Sequence, residues 1–180
     1  NLDILSLIFT VIWIVGTVNA FNWLDGLDSL AAGVASITFF SLMIAFYINN
    51  MHIYGFFTLI IFGACLGFLF YNIPPAKILM GDGGSYFLGF NLAIMTLLVN
   101  SNYINNVQLF YFDKAFLILF IPLCDMTNVI FTRLLKGKSP FYPDRSHLHH
   151  RIIDSGVSYK KTLFIIFAIN FTFILLGVNI

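Results

Sequence analysis

The amino-acid sequence predicts an all-α protein, a polytopic transmembrane helix bundle with about six helices in its 180 residues. Three observations carry this. Hydrophobic residues make up 59% of the chain and charged residues 9%, with a mean hydropathy of +0.92. A soluble domain gives about a quarter of its residues to charge, so charges this sparse cannot coat a water-facing surface. Next, several apolar runs approach the roughly 20 residues a helix needs to cross the hydrocarbon core at about 1.5 Å per residue. Finally, the runs lack the alternation of barrel strands, and a backbone in lipid must satisfy its own hydrogen bonds.

In order, the runs are Ile4 to Phe21, Leu30 to Ile48, Ile53 to Tyr71, Tyr86 to Val99, Ala115 to Leu135 and Thr162 to Val178. The run from Tyr86 is short but can borrow residues at both ends. The run from Ala115 is apolar only to Cys124, so its second half is expected to face protein or to leave the bilayer, with a bend near Pro122 and Asp125. Cys65 and Cys124 lie inside apolar runs and read as small packing residues rather than a disulfide framework. These residues hold no charged start followed by a small-residue cleavage site, so a signal peptide is not expected among them. The first residue is Asn rather than Met, from which a missing N-terminal part is expected. There is no internal repeat or low-complexity segment.

A net charge of +1 is uninformative, but charge placement is not. Eight of the nine Lys and Arg fall in Asn22 to Ser29, Asn72 to Gly84 and Lys136 to Lys161, or at Arg133 beside them; only Lys114 lies on the other side. The excess of Lys and Arg in cytoplasmic loops then places these three loops inside, with both termini outside after six crossings.

The same three loops hold the unusual polar residues. The first, "NAFNWLDGLDSL", sets Asn19, Asn22, Asp25 and Asp28 three residues apart. Residues three apart occupy adjoining positions of a helical turn and can offer oxygens to one ligand. The plain alternative is that Asp25 and Asp28 cap the helix starting near Leu30. Every one of the eight acids is Asp, and an Asp pair without Glu or Cys suits a hard cation such as Mg²⁺ completed by substrate phosphates.

The second loop, "YNIPPAKILMGDGGSYFLG", contributes Asn72, Lys77 and Asp82. Its glycines allow close approach of a phosphate before a helix start, though a simple loop has the same composition. Lys77 reads equally as a phosphate contact or as a positive-inside anchor. The third loop, "KGKSPFYPDRSHLHHRI", contributes Asp144, Arg145, His147, His149, His150 and Arg151. Histidines beside arginines suit a diphosphate ligand, with imidazoles donating or shuttling protons; a basic loop at anionic headgroups is the alternative. A structural zinc site would need ligands from other loops. Asp125 is an acid at apparent membrane depth, where such groups are costly and usually paired or functional.

With these motifs in hand, the sequence resembles the polyprenyl-phosphate N-acetylhexosamine-1-phosphate transferases (glycosyltransferase family 4). "NAFNWLDGLDSLAAG" is similar to the family's N-x-x-N-x-x-D-G-x-D-G-L-A-x-G loop, "NIPPAKILMGDGGSYFLG" to its N-x-x-P-A-K-x-F-M-G-D-x-G-S segment, and "SPFYPDRSHLHHRI" to its His-x-His-His loop. Order and spacing agree over essentially the whole chain, and the P-D-R form resembles the GlcNAc branch more than the muramoyl-pentapeptide branch. Ser29 stands where the family more often has Gly; a small, good capping residue is expected to change little.

The resemblance implies transfer of a sugar-1-phosphate, GlcNAc-1-phosphate by the branch, from a UDP-N-acetylhexosamine to undecaprenyl phosphate with release of UMP. It implies an Mg²⁺-dependent enzyme (Mn²⁺ being the other candidate) that initiates a lipid-linked cell-envelope glycan such as lipopolysaccharide or teichoic acid. By the resemblance Asp25, Asp28, Asp82 and His147 are catalytic, and Asp82 and Asn22 hold the metal. Asn19, Asn22, Asn72, Lys77, Arg145, His149 and His150 bind substrate. The implied setting is the bacterial inner membrane, multi-pass, with the site facing the cytoplasm. The expected partners are the two substrates and the bilayer; a homodimer is allowed and no nucleic acid is expected. The family's earlier loop with an Asp-Asp pair is not in this sequence. Residues 1–180 are therefore expected to be one transmembrane catalytic domain forming the C-terminal part of a longer enzyme. Two other classes remain at this point: a catalytically silent homologue, and a secondary transporter relaying protons through Asp125 and the histidines.

Overall fold

The computed structural model describes residues 2–104, 107–110, 112–143 and 145–178, with backbone alone for 2–3 and 101–112. Among these, eight helices are formed: α1 Leu2–Leu24, α2 Leu30–Ile48, α3 His52–Asn72, α4 Gly81–Val99, α5 Phe112–Ile118, α6 Phe120–Leu135, α7 Leu148–Asp154 and α8 Tyr159–Val178. Five of them, α1, α2, α3, α4 and α8, are long and apolar enough to cross a membrane. The molecule is a polytopic helical bundle, as its composition requires.

Four details differ from the expected outline. The fifth apolar run is two helices, α5 and α6, meeting at Leu119. Pro122 explains the break, because its ring has no N–H for the Ile118 carbonyl and crowds it. The ladder continues around the junction, with Leu119 N–H bonding the Ala115 carbonyl at 3.1 Å and Leu123 N–H the Leu119 carbonyl at 3.1 Å. Helix α4 begins at Gly81, so Asp82 lies in its first turn rather than in a preceding loop. The third loop contains the short helix α7. In the polar segment before α5, strands β1 (Ser101–Ile104) and β2 (Val107–Phe110) pair antiparallel, Ser101 opposite Phe110.

Helix α2 is the hub, packed on α3, α4 and α8. Its first turns, Leu30, Ala31, Ala32, Val34 and Ala35, are almost fully buried. Small residues let helices approach closely where lipid supplies no hydrophobic drive. A Cβ on Gly33 would run into the Phe167 ring of α8. The second close crossing joins α1 to α4, where a Cβ on Gly89 would lie 2.8 Å from Val18 Cα. Accordingly the last turns of α1 (Thr17, Ala20, Phe21, Leu24) are buried. Its earlier Leu5, Ile8, Phe9 and Ile12 are exposed, as suits a surface in lipid. These crossings bring the C-terminal ends of α1, α3 and α6 and the N-terminal ends of α2, α4 and α8 to one end of the bundle.

Candidate active site at the loop end of the bundle

The first two loops are stitched together by side chains. Ser29 Oγ donates to the Asn72 carbonyl at 3.0 Å, Ser29 N–H donates to Asn72 Oδ1 at 2.7 Å, and Asn72 Nδ2 donates to the Ile78 carbonyl at 2.8 Å. Ser29 has φ of +66°, the left-handed region that favours glycine. A glycine at this place would hold the same backbone without strain. The expected cap is not made: the Ser29 hydroxyl reaches across to the second loop, and α2 has no side-chain cap. Asp28 also turns away from α2, its Oδ2 accepting the Ala76 N–H at 3.1 Å. The Asp28 carbonyl accepts the Tyr159 hydroxyl of α8 at 2.8 Å.

Asn22, Asp25, Gly26, Leu27, Asp28, Asn72, Leu79, Met80, Gly81 and Asp82 surround a cavity of about 400 Å³. Asn22 Nδ2 donates to Asp82 Oδ1 at 3.0 Å and to Ser85 Oγ at 3.1 Å. Those bonds use both amide protons and leave the Asn22 carbonyl oxygen and one Asp82 oxygen for a ligand. Burial pushes the Asp25 carboxyl up to about 6; a bond from the Gly81 backbone opposes the shift, and the nearby Asp28 and Asp82 charges add to it. Crowded carboxylates of this kind are relieved by a bound cation. Among the described residues no group of three or more His, Cys, Asp or Glu could hold a metal alone. The donors fit a hard ion held by one or two carboxylates and completed by phosphate oxygens, the habit of Mg²⁺.

The third loop closes over this cavity's back wall. His149 is 1% exposed, and a Cβ on Gly26 would lie 3.0 Å from its Nε2, so any side chain there would press on the imidazole. Among the described residues neither ring nitrogen of His149 has a hydrogen-bond partner. Burial pulls this imidazole down to about 4, with His150 and His147 adding to the shift and Asp125 opposing it. His150 is lowered too, by burial first and then by Arg145 and His147. His147 Nδ1 lies 2.8 Å from Asp125 Oδ2, and Trp23, Arg133, Phe141, Pro143 and His147 line a second hollow of about 300 Å³. The Arg133 guanidinium sits over the Trp23 ring at 5.1 Å and donates to the Pro140 carbonyl at 2.6 Å.

The neutral His149 makes a testable statement about stability. Between about pH 4 and 6.5 this residue binds a proton in the unfolded chain that it does not bind in the folded one, so its own contribution to stability rises with pH over that window. Asp25, raised from 3.8 to about 6, contributes the opposite slope over its own window, so the His149 share is read by difference: as pH drops from 6.5 to 4 in detergent, His149→Asn is expected to lose less melting temperature than wild type. An identical acid limb in the variant would assign the effect elsewhere.

Of the residues singled out from sequence, Asn22, Asp25, Asp28, Asn72 and Asp82 share the cavity, with His149 against Gly26. Asn19 does not line it; its Nδ2 bonds the Val15 carbonyl of its own helix at 2.8 Å. Lys77 is exposed and is not among the lining residues. Arg145 pairs with Asp154 at 3.3 Å on the surface. Asp144 lies outside the described residues. Residues not anticipated are Ser85, Met80 and Leu79 beside the cavity and Trp23, Arg133, Phe141 and Pro143 around the hollow.

The profile of glycosyl transferase family 4 matches residues 1–100, which hold the first two loops of this site. The chain belongs to that family. Similar family 4 relatives include a probable undecaprenyl-phosphate N-acetylglucosaminyl 1-phosphate transferase of Bacillus subtilis (strain 168), 40% identical over 91% of this chain and 45% of the relative. A decaprenyl-phosphate N-acetylglucosaminephosphotransferase of Mycobacterium tuberculosis (strain CDC 1551 / Oshkosh) is 34% identical over 90% of this chain and 44% of its own length. A phospho-N-acetylmuramoyl-pentapeptide-transferase of Prochlorococcus marinus (strain MIT 9215) is 34% identical over 99% of this chain and 50% of its own. The chain thus spans about half the length of the curated relatives it matches.

Proposed function

We propose that this chain forms the catalytic loop cluster of a phosphoglycosyl transferase. In this reading it moves a sugar-1-phosphate, GlcNAc-1-phosphate by preference, from a UDP-sugar to undecaprenyl phosphate at the cytoplasmic membrane face. The observation that carries the reading is the cavity in which Asn22, Asp25, Asp28 and Asp82 converge from two loops, backed by the buried His149 of a third. Two relatives named as polyprenyl-phosphate N-acetylglucosamine transferases support the choice of sugar and acceptor.

In this reading an acceptor phosphate oxygen bonds to the β-phosphorus of the UDP-sugar, the bond from that phosphorus to the bridging oxygen breaks, and UMP leaves. Mg²⁺, held by Asp82 and Asn22 with Asp25 and Asp28 close by, would supply neutralisation of diphosphate charge. Asn22 orients Asp82 through its 3.0 Å bond. Asp28 fixes the second loop through Ala76, and His147 and His150, ring to ring with the His149 that backs the cavity, would position the diphosphate or exchange protons with it. Positioning and charge supply most of the acceleration, since phosphoryl transfer asks for little covalent chemistry from the protein.

Membranes carrying the full-length protein, given labelled UDP-GlcNAc and undecaprenyl phosphate, are expected to form a lipid-extractable sugar. Asp28→Asn is expected to lower that product by about 10²-fold or more, a magnitude typical of one lost electrostatic contact. Near-normal product from Asp28→Asn would remove the first loop from the site. Product only with a different UDP-N-acetylhexosamine would reassign the donor.

A further inference from the structure

Asp125 takes no part in the cavity, yet its place in the fold is demanding. Its carboxylate is buried on α6, only 2% of the side chain being exposed, one turn beyond the Pro122 break. A buried carboxylate is retained only where its oxygens are satisfied. Both are satisfied by the third loop, 22 and 23 residues further along. Oδ2 meets His147 Nδ1 at 2.8 Å, and Oδ1 accepts the Leu148 N–H at 2.6 Å. His147 is the residue that opens α7, in extended geometry at φ −60° and ψ 147°. One carboxylate therefore secures both the first helical N–H of α7 and the imidazole that precedes it.

The His147 ring is held on other sides as well. It stands edge-on to Trp23 with centroids 6.1 Å apart, and it stacks on His149 at 5.6 Å and 13°. An imidazole whose Nδ1–H is donated to a carboxylate has Nε2 left for its chemistry, because the bond at one nitrogen decides the role of the other. His147 also lines the hollow with Trp23, Arg133, Phe141 and Pro143.

We propose that Asp125 is a positioning residue for the transfer reaction, holding His147 with its proton on Nδ1 and its Nε2 available to the substrate. The inference rests on the phosphoglycosyl-transfer reading, and it adds a residue that acts through His147 without touching substrate. Loss of such an outer partner typically lowers activity about 10–100-fold.

The test is a double-mutant cycle in the full-length protein: wild type, Asp125→Asn, His147→Ala and the double variant, each assayed for UMP release. Asp125→Asn is expected to lower kcat by about 10–100-fold, with the donor KM changed by less than about threefold. In the His147→Ala background the same substitution is expected to cost less than about twofold, because its target is gone. Activity of Asp125→Asn within twofold of wild type overturns the inference, and so does an equal loss in both backgrounds. A second measurement stands apart from activity and from variant folding: ¹⁵N spectra of the wild-type histidines. A proton on His147 Nδ1 supports the assignment, and a neutral ring protonated only on Nε2 overturns it. Wild type that releases no UMP with any UDP-sugar would instead refute the transfer reading, leaving the ¹⁵N result to decide the Asp125–His147 pairing.

Discussion

Asp82→Asn in the full-length protein is expected to lower UMP release by about 10²–10³-fold while leaving the melting temperature nearly unchanged. The two side chains have the same shape, and an Asn at this position can still accept the Asn22 amide bond through its carbonyl oxygen. What is lost is the negative charge beside Asp25 and Asp28 in the 400 Å³ cavity. The effect should therefore fall on turnover and on the dependence on Mg²⁺ concentration rather than on folding. Asp28→Asn is a less clean probe, because that carboxylate also secures the Ala76 N–H of the second loop. Steady-state assays with melting curves on the same preparations separate the two. Turnover by Asp82→Asn within a few-fold of wild type would remove Asp82 from the chemistry.

The second large effect is expected far from the cavity. Gly89→Val should destabilise the protein by about 1–3 kcal/mol or more, the usual range for overpacking. A Cβ at Gly89 meets Val18 Cα at 2.8 Å, the Thr17 carbonyl at 3.2 Å and Phe21 Cβ at 3.2 Å. Two of those atoms are backbone and cannot swing aside, so α1 and α4 must separate. They are also the helices that carry Asn22 and Asp82, and their 3.0 Å bond is expected to open with the crossing. Gly89→Val should thus reduce both melting temperature and UMP release. Gly63→Ala on α3, where a Cβ meets nothing within 4 Å, should change neither appreciably. Equal behaviour of the two variants would mean that the α1–α4 crossing does not set the site.

The long apolar runs and the gathering of polar loops at one end were legible in the sequence, because hydrocarbon tolerates few unsatisfied polar groups and concentrates them where they serve a purpose. Asn19 shows where pattern alone misleads. A three-residue step turns about 300° around a helix, so each step drifts by about 60°. The stripe that begins at Asn19 has moved off that face by Asn22, leaving Asn19 to bond its own helix. The break between α5 and α6 had a visible cause in Pro122, but its exact place at Leu119 depends on the packing of α5 against α8. Helix α7 is too short at seven residues for periodicity to reveal it. Asp125 was conspicuous as an intramembrane acid, yet its partner lies 22 residues away, and only the folded third loop brings His147 to it. Ser29 was read as a cap, and its hydroxyl proved to tie the two loops instead.

The proposed transfer of a phosphosugar, rather than of a sugar, at the loop end of this bundle is read most directly from the nucleotide released. Purified full-length protein, given UDP-GlcNAc, undecaprenyl phosphate and Mg²⁺, is expected to release one UMP for each lipid-linked sugar formed, and to stop when the cation is chelated. Release of UDP instead of UMP, or turnover indifferent to chelation, would contradict it.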